Sequence, residues 1–266
     1  RWNAILKVTG SSSTLFKNFD DQVRNKIRKA ESRGVEIIKG NHNDIKLFYT
    51  FVAKKHSRTL EYYQTFAKEF GDDFEIYFAK LNSEKYLQNI KKLYELEVTN
   101  NEKINLEIQE KSTENKITNK LMNTKITSDK LLDTYKKELI FASDLFAKNP
   151  SGIIIGATAI ILDKNGVELL IEGQNSDYAL YYPNYLTKWY IIEKYAKKGA
   201  IYFDLNAITG YFADDSKYKG LNEMKLGYGA EVTEYIGEFD LVIKENAYKL
   251  YCKSKLFRNL IKRKTK

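Results

Sequence analysis

The chain has 266 residues and a formal charge of +9, and its length is sufficient for one large domain or two small ones. Its 20 Tyr and 14 Phe against only two Pro exclude a disordered chain and a proline-rich scaffold. One Cys and two His exclude a disulfide framework and predict no Cys/His zinc site, which favours a reducing, intracellular setting.

The positive charge is concentrated at the C-terminus. Residues 244–266 contain nine Lys and Arg against one Glu, a net charge of +8, whereas residues 83–148 contain 12 Lys against 11 acidic residues. A basic terminus contacts an anion such as a nucleic acid or a lipid surface, or it serves only as a solubilising tail, and both alternatives stay open. No apolar run approaches the roughly 18–20 residues that a membrane-spanning helix needs.

The first 82 residues alternate between strand patterns and helix patterns. Strands are predicted at residues 2–8, 35–39 and 73–81, and helices before Gly34, at residues 44–55 and before Gly71. The helix before Gly34 carries Arg24, Arg28 and Lys29 away from its apolar stripe. This basic face is either a solvated surface or a rim over a phosphate-bearing ligand or a tRNA backbone.

Arg58 and Tyr62 lie about one helical turn apart at the start of the third of these helices. A planar guanidinium and a phenol hydroxyl can both donate to phosphate oxygens. The pair therefore predicts either a phosphate site or an arginine that simply stacks on an aromatic neighbour.

Residues 83–148 contain no Pro and no Gly and are rich in Glu, Lys, Asn, Ile and Leu. This composition predicts an antiparallel pair of helices, here called the arm, with a tip at residues 109–116. Each helix would reach on the order of 40 Å at 1.5 Å per residue. Strand patterns lie on both sides of the arm, so the predicted fold class is α/β (α+β), a mixed sheet with flanking helices that the arm interrupts.

The chain after the arm returns to the sheet. A hairpin is predicted at residues 152–172 around an Asn-Gly turn, followed by a helix at 185–198, strands at 200–205 and 232–242, and a basic amphipathic helix at 247–261. Residues 206–210 would lie at the end of a strand, where α/β sheets bind ligands.

The sequence lacks the motifs of several kinds of catalytic site. It has no Ser/His/Asp or Cys/His constellation, no Walker A loop and no dinucleotide fingerprint. An acetyl-CoA acetyltransferase would need a Gly-rich pyrophosphate loop at a helix start, and none is convincing here. No cofactor and no metal are therefore predicted.

Four motifs follow one another in the chain. They are Arg24-x-x-Ile-x-Lys-Ala before a Gly-Val strand, Arg58-Thr-Leu-Glu-Tyr-Tyr, Tyr202-Phe-Asp-Leu-Asn-x-Ile-Thr-Gly, and Gly220-Leu-x-x-Met-Lys-x-Gly-Tyr-Gly. In this order, and with the arm between the second and the third, they resemble the FemABX family of peptidoglycan-bridge aminoacyltransferases. The position of the arm is similar to the FemA, FemB and MurM branch, and the resemblance covers nearly all of the chain.

Members of this family consist of two subdomains, each similar to the Gcn5-related N-acetyltransferase (GNAT) fold. The resemblance implies that residues 1–82 and 149–266 form the second, discontinuous GNAT-like subdomain, with residues 83–148 as the arm. It also implies a first subdomain upstream of this sequence.

The resemblance further implies transfer of an amino acid from aminoacyl-tRNA to an amine of the stem peptide, on lipid II or on UDP-MurNAc-peptide. The setting would be cytoplasmic, at the inner face of the plasma membrane. By motif, Arg58 and Tyr62 would hold the diphosphate of the precursor. Lys225 matches the family's Phe-Lys element, whose lysine stabilises the transferring acyl group, and here Met224 replaces the aromatic residue.

Two functions stay open at this point. One is the tRNA-dependent aminoacyltransferase, with Lys225 as the catalytic residue and the basic face around Arg24 as an anion or tRNA contact. The other is a non-catalytic module that docks tRNA or membrane and is inactive without the first subdomain. The basic C-terminal helix is predicted to contact anionic lipid. The sequence specifies neither the oligomeric state nor the amino acid transferred.

Overall fold

The computed structural model describes residues 2–54, 58–113, 116, 118–213, 217–237 and 240–264, with the side chains of residues 255–264 excepted. The chain divides into a larger unit, Trp2–Thr233, and a smaller unit that begins at Glu234. No helix in these described ranges is both long enough and apolar enough to cross a membrane.

The larger unit is built on a seven-stranded mixed sheet with the strand order β2-β3-β4-β5-β6-β1-β7. The strands are β1 Trp2–Lys7, β2 Val35–Lys39, β3 Phe74–Leu81, β4 Ile153–Leu162, β5 Gly166–Gln174, β6 Tyr202–Ile208 and β7 Glu231–Glu234. β5 and β6 are parallel, whereas the β2–β3, β3–β4, β4–β5 and β1–β6 pairs are antiparallel. The predicted mixed α/β fold with flanking helices is therefore confirmed.

Helices cover both faces of the sheet. They are α1 Ser12–Asn18, α2 Asp21–Ser32, α3 Ile45–Val52, α4 Leu60–Phe70, α5 Ser83–Thr113, α6 Asn119–Lys148, α7 Pro183–Lys197 and α8 Lys219–Leu226, with α9 Glu245–Lys264 in the smaller unit. Side-chain alternation along β3 creates the two faces: Tyr77 and Ala79 pack with α2 and α7, whereas Ile76 and Phe78 pack with α3 and α4.

The arm consists of α5 and α6, which pack antiparallel and leave the sheet between β3 and β4. Its base is apolar, with Tyr86, Ile90, Ala142 and Leu145 buried in the main core. Farther out the contact becomes polar, where Asn101 Nδ2 donates to Ser128 Oγ at 2.9 Å. The arm is thus anchored by hydrophobic burial at its base.

Two predicted strands differ from the structure. The strand predicted at residues 200–205 extends to Ile208 because a bulge carries the chain past Asn206. Of the closing strand predicted at residues 232–242, the structure contains only β7; residues 235–237 and 240–242 are not in a strand, and residues 238 and 239 lie outside the described residues. Ile236 and Leu241 in that stretch are 91% and 89% exposed, so no described neighbour buries their side chains as a sheet would.

Candidate active site at the end of β6

The site begins at a β-bulge in β6. The antiparallel register with β1 pairs Asp204 with Ile5 and Ala207 with Asn3, so β6 contains one residue more than β1 between these pairs. Asn206, within the bulge, has a positive φ of 68°. Asn tolerates this left-handed conformation better than most residues, because its short side chain can hydrogen-bond to the nearby backbone.

The side chain of Asn206 makes three hydrogen bonds at this bulge. Its Nδ2 donates to the backbone carbonyls of Leu169 at 2.7 Å and Leu170 at 3.3 Å on β5, and its Oδ1 accepts from the Ala207 N–H at 2.6 Å. The buried Asp204 carboxylate accepts from the backbone N–H of Asn206 at 2.6 Å. These bonds replace the regular strand ladder at the point where β5 and β6 stop pairing.

Lys225 contacts the strand directly after this bulge. Its side chain is buried against β6, with the residue 6% exposed, and its Nζ donates to the Ala207 carbonyl at 2.6 Å. The same face of α8 is held by Asn222, whose Nδ2 donates to Thr209 Oγ1 at 2.7 Å. An ammonium has three N–H groups, so the Ala207 bond alone does not use all the donors of Lys225.

A cavity of about 390 Å³ lies on the neighbouring face of α8. Its lining comes from α2, α7 and α8 and consists of Asp20, Gln22, Val23, Lys26, Tyr185, Gly220, Glu223 and Met224. Lys26 Nζ donates to the Tyr185 hydroxyl at 3.0 Å, which ties α2 to α7 across the cavity. Met224 therefore faces a polar cavity.

Buried polar groups support the wall of this cavity. The Tyr228 hydroxyl donates to the Tyr185 backbone carbonyl at 3.0 Å, and burial, reinforced by the charge of Glu172, raises the pKa of Tyr228. Lys188 is completely buried and forms an ion pair with Glu172. The sequence did not predict this pair; its one sign is a lysine on the buried face of α7, which is otherwise largely apolar.

Arg58 and Tyr62 lie together on the opposite face of the sheet. The Arg58 guanidinium lies over the Tyr62 ring, 4.9 Å from its centroid, and the Tyr62 backbone N–H donates to the capping Thr59 side chain. Behind them, burial raises the pKa of the Tyr63 hydroxyl, and the Arg58 charge partly offsets the rise. The two residues are in contact as their spacing predicts, but they belong to a different helical layer from Lys225.

The basic face of α2 is partly neutralised by its own neighbours. Arg24 pairs with Asp21 and donates to the Lys17 carbonyl, and the Arg28 guanidinium lies over the Phe16 ring at 5.4 Å. Lys29 is exposed. Arg24 and Arg28 therefore cover α1, while Lys29 projects elsewhere on the helix.

Metal ligands do not cluster in the part of the chain that the structure describes. Among those residues, no group of three or more His, Cys, Asp or Glu side chains is placed to hold a metal ion.

Comparisons with known proteins agree with this architecture. Residues 1–255 match the model of the FemAB family. The lipid II:glycine glycyltransferase of Staphylococcus epidermidis is 25% identical over 96% of this chain and 61% of its own length. FemA and FemB of the same species are 24% and 26% identical, over 94% and 99% of this chain and 61% and 63% of their own lengths.

A solved structure gives the same result for the fold. The crystal structure of FemX superposes with a TM-score of 0.66 at 19% identity, over 94% of this chain and 63% of the FemX chain. The chain thus spans about three-fifths of the length of the relatives that it matches.

Proposed function

Because this chain belongs to the FemAB family, we propose that it forms part of an aminoacyltransferase that builds peptidoglycan cross-bridges. The donor is an aminoacyl-tRNA, and the acceptor is an amine of the stem peptide on lipid II or UDP-MurNAc-peptide. The observation that carries this proposal is the match to named transferases along almost the whole chain, including the stretch around Lys225.

The reaction is aminolysis of an activated ester. The acceptor amine attacks the ester carbonyl, a C–N bond forms, the C–O bond to the tRNA ribose breaks, and the proton that the amine loses is balanced by protonation of the departing ribose oxygen. An ester needs no covalent enzyme intermediate, but its tetrahedral oxyanion needs a hydrogen-bond donor. Lys225 supplies that donor, and its bond to the Ala207 carbonyl supports the assignment because it fixes the ammonium beside β6.

The remaining site residues bind the anionic parts of the substrates. Arg58 and Tyr62 hold the diphosphate of the acceptor precursor, in which role a guanidinium and a hydroxyl are both suitable donors. Arg24, Arg28 and Lys29 contact tRNA or another anion. The contacts of Arg24 with Asp21 and of Arg28 with Phe16 make these two the weaker members of that set.

The organisation of the chain is part of the proposal. Residues 1–82 and 149–266 form a discontinuous GNAT-like subdomain and residues 83–148 its arm, and a first subdomain completes the enzyme. The enzyme works in the cytoplasm at the inner face of the plasma membrane, and α9 contacts anionic lipid there. The exposed Leu250 and the lysines of α9 support that contact.

A second candidate function is a non-catalytic module that docks tRNA or membrane. It is supported by the length comparison, because this chain spans only about three-fifths of the transferases that it matches. On this alternative the chain binds substrates but turns none over without the rest of the enzyme.

The test is transfer of radiolabelled amino acid from charged tRNA. The complete gene product that contains this chain is incubated with lipid II in one arm and UDP-MurNAc-peptide in the other. We expect label in one of these acceptors, and ribonuclease treatment of the donor should abolish it. No transfer from any aminoacyl-tRNA by the folded complete protein would refute the proposal. Binding of tRNA or of anionic vesicles by the complete protein without any transfer would favour the docking module.

A further inference from the structure

We propose that Asn206 is a positioning residue for Lys225. Its bulge directs the Ala207 carbonyl towards α8, and this carbonyl holds the ammonium that supports the transferring acyl group. The inference rests on the proposed function, because it gives Asn206 a role in the same transfer reaction. It adds a residue for which neither the motif match nor the relatives' names give a role.

The bulge lies where β6 stops pairing with β5. β6 pairs with β5 only as far as Glu168 and Asp204, and the extra residue relative to β1 falls immediately after that point. A bulge rotates the following peptide out of the regular ladder and re-aims the groups that come next. The next carbonyl is that of Ala207, and it accepts from Lys225 Nζ at 2.6 Å.

Asparagine suits the conformation of position 206. Position 206 needs a residue that accepts a φ of 68° and also fills the gap where the two strands separate. Asn206 does both, because its amide donates to two β5 carbonyls while its oxygen accepts from the next backbone N–H. Glycine would keep the backbone conformation but lose the bridge to β5. Aspartate would keep the acceptor oxygen but face those two carbonyls with negative charge.

The hydrogen bonds of Asn206 to β5 also affect the position of Lys225. A lysine side chain is long and flexible, so a buried ammonium is placed only as well as its hydrogen-bond acceptor is fixed. One acceptor of Lys225 is a backbone atom one residue after Asn206, at the same bulge. Loosening the bulge therefore moves the ammonium relative to the developing oxyanion, and such misplacement lowers turnover more than binding.

If Asn206 merely stabilised β6, a different result would be expected. Its substitution would lower the amount of folded protein and leave the turnover of the folded fraction unchanged. The test is therefore a double-mutant cycle between Asn206 and Lys225, measured as kcat and KM in the complete enzyme. The variants are Asn206→Gly, Asn206→Asp, Lys225→Ala and each Asn206 change combined with Lys225→Ala.

We expect Asn206→Gly to lower kcat by about tenfold, on the scale of a weakened oxyanion donor, with both KM values within about twofold of the starting enzyme. Asn206→Asp should lower kcat at least as much. In the Lys225→Ala background neither change should lower kcat further, because the group that they position has been removed. Ile171→Val, which destabilises the core on the other face, is the control for reduced stability and should leave kcat unchanged.

Each outcome decides one claim. If Lys225→Ala leaves transfer unchanged, the proposed role of Lys225 fails and this inference fails with it. If Lys225→Ala slows transfer but the Asn206 effects multiply with it, the proposed function stands and Asn206 is not a positioning residue. If Asn206→Gly does not fold, Asn206→Asp with its matched double variant carries the same test. A pattern in which Ile171→Val lowers kcat equally would also overturn the inference.

Discussion

Arg33, at the end of α2, forms a two-point ion pair with Glu138 of α6. Its Nη2 lies 2.5 Å from Glu138 Oε1, and its Nε donates to Oε2 at 3.3 Å. The Tyr86 hydroxyl of α5 donates to the same carboxylate at 3.4 Å. Since α2 also packs on the sheet, this cluster fixes both arm helices to α2, and the direction of the arm is set at its base.

The ion pair gives a first prediction. Arg33→Ala should lower the free energy of unfolding by about 1–2 kcal/mol, because Glu138 is left partly buried without its main partner. Lys137→Ala is the matched control, since the Lys137–Asp133 pair is mostly exposed and should contribute less than about 0.5 kcal/mol. Urea unfolding measures both values. Equal effects of the two changes would mean that Arg33 does not anchor the arm.

The polar layer of the arm gives a second prediction. Asn101 is buried and donates to Ser128 Oγ at 2.9 Å and to Asp129 Oδ1 at 2.8 Å. Asn101→Ala removes the donor to the buried Ser128 Oγ, although Asp129 keeps Lys125 as a donor, and should destabilise the arm by about 1–2 kcal/mol. Asn100→Ala, one residue away, removes only an exposed hydrogen bond to Glu97.

Hydrogen exchange of the α5 and α6 amides is the appropriate measurement, because the arm can open without unfolding the sheet. Faster exchange confined to the arm in Asn101→Ala, with little change in Asn100→Ala, is expected. A uniform change across the sheet would contradict a local role for this layer.

A buried carboxylate at the start of β3 gives a third prediction, this time for pH. Burial alone would raise the pKa of Glu75, but the hydrogen bonds from Lys39, Tyr195 and Tyr77, together with the Lys194 charge, lower it to about 2. The folded-state pKa thus lies below the ordinary value of 4.5. The cluster therefore stabilises the folded state fully above pH 4.5 and loses this contribution as the pH falls towards 2.

We expect the free energy of unfolding to fall by about 2 kcal/mol over this range through Glu75. Glu75→Gln should be less stable than the starting protein at neutral pH and should lose less stability on acidification. Glu107→Gln, at an exposed position on the arm, should leave the pH dependence as it is. Parallel pH curves for Glu75→Gln and the unchanged protein would show that this carboxylate is not linked to acid unfolding.

The sequence predicted those features that depend on neighbours along the chain. One example is helix α2, which the helical spacing of Val23 and Ile27 indicates. Another is the hairpin of β4 and β5, which the turn before Gly166 indicates. The bulge at Asn206 could not be predicted, because it depends on the registers with β1 and β5, which are distant in sequence. Alternating apolar residues predicted a strand beyond β7 that the described structure does not contain. No described partner strand continues the pairing there.

The smaller unit gives a fourth prediction. Removal of residues 262–266 takes away four Lys and Arg, each of which contributes about 1 kcal/mol near an anionic bilayer. The truncated protein should bind vesicles containing phosphatidylglycerol up to about a thousandfold more weakly, whereas its affinity for tRNA should not change. Zwitterionic vesicles, which neither protein should bind strongly, provide the control. Weaker tRNA binding with unchanged vesicle binding would make this terminus an RNA contact.

The contact between Arg58 and Tyr62 gives the last prediction, which separates phosphate binding from plain stacking. If the guanidinium holds the acceptor diphosphate, Arg58→Ala should raise the KM for the acceptor at least about tenfold with little change in kcat, because uniform binding is lost. Arg58→Lys should not restore it, since an ammonium lacks the planar fork. Lys68→Ala, at the other end of α4, should behave like the unchanged enzyme. An unchanged acceptor KM in Arg58→Ala, with lower thermal stability, would mean that Arg58 only covers the Tyr62 ring.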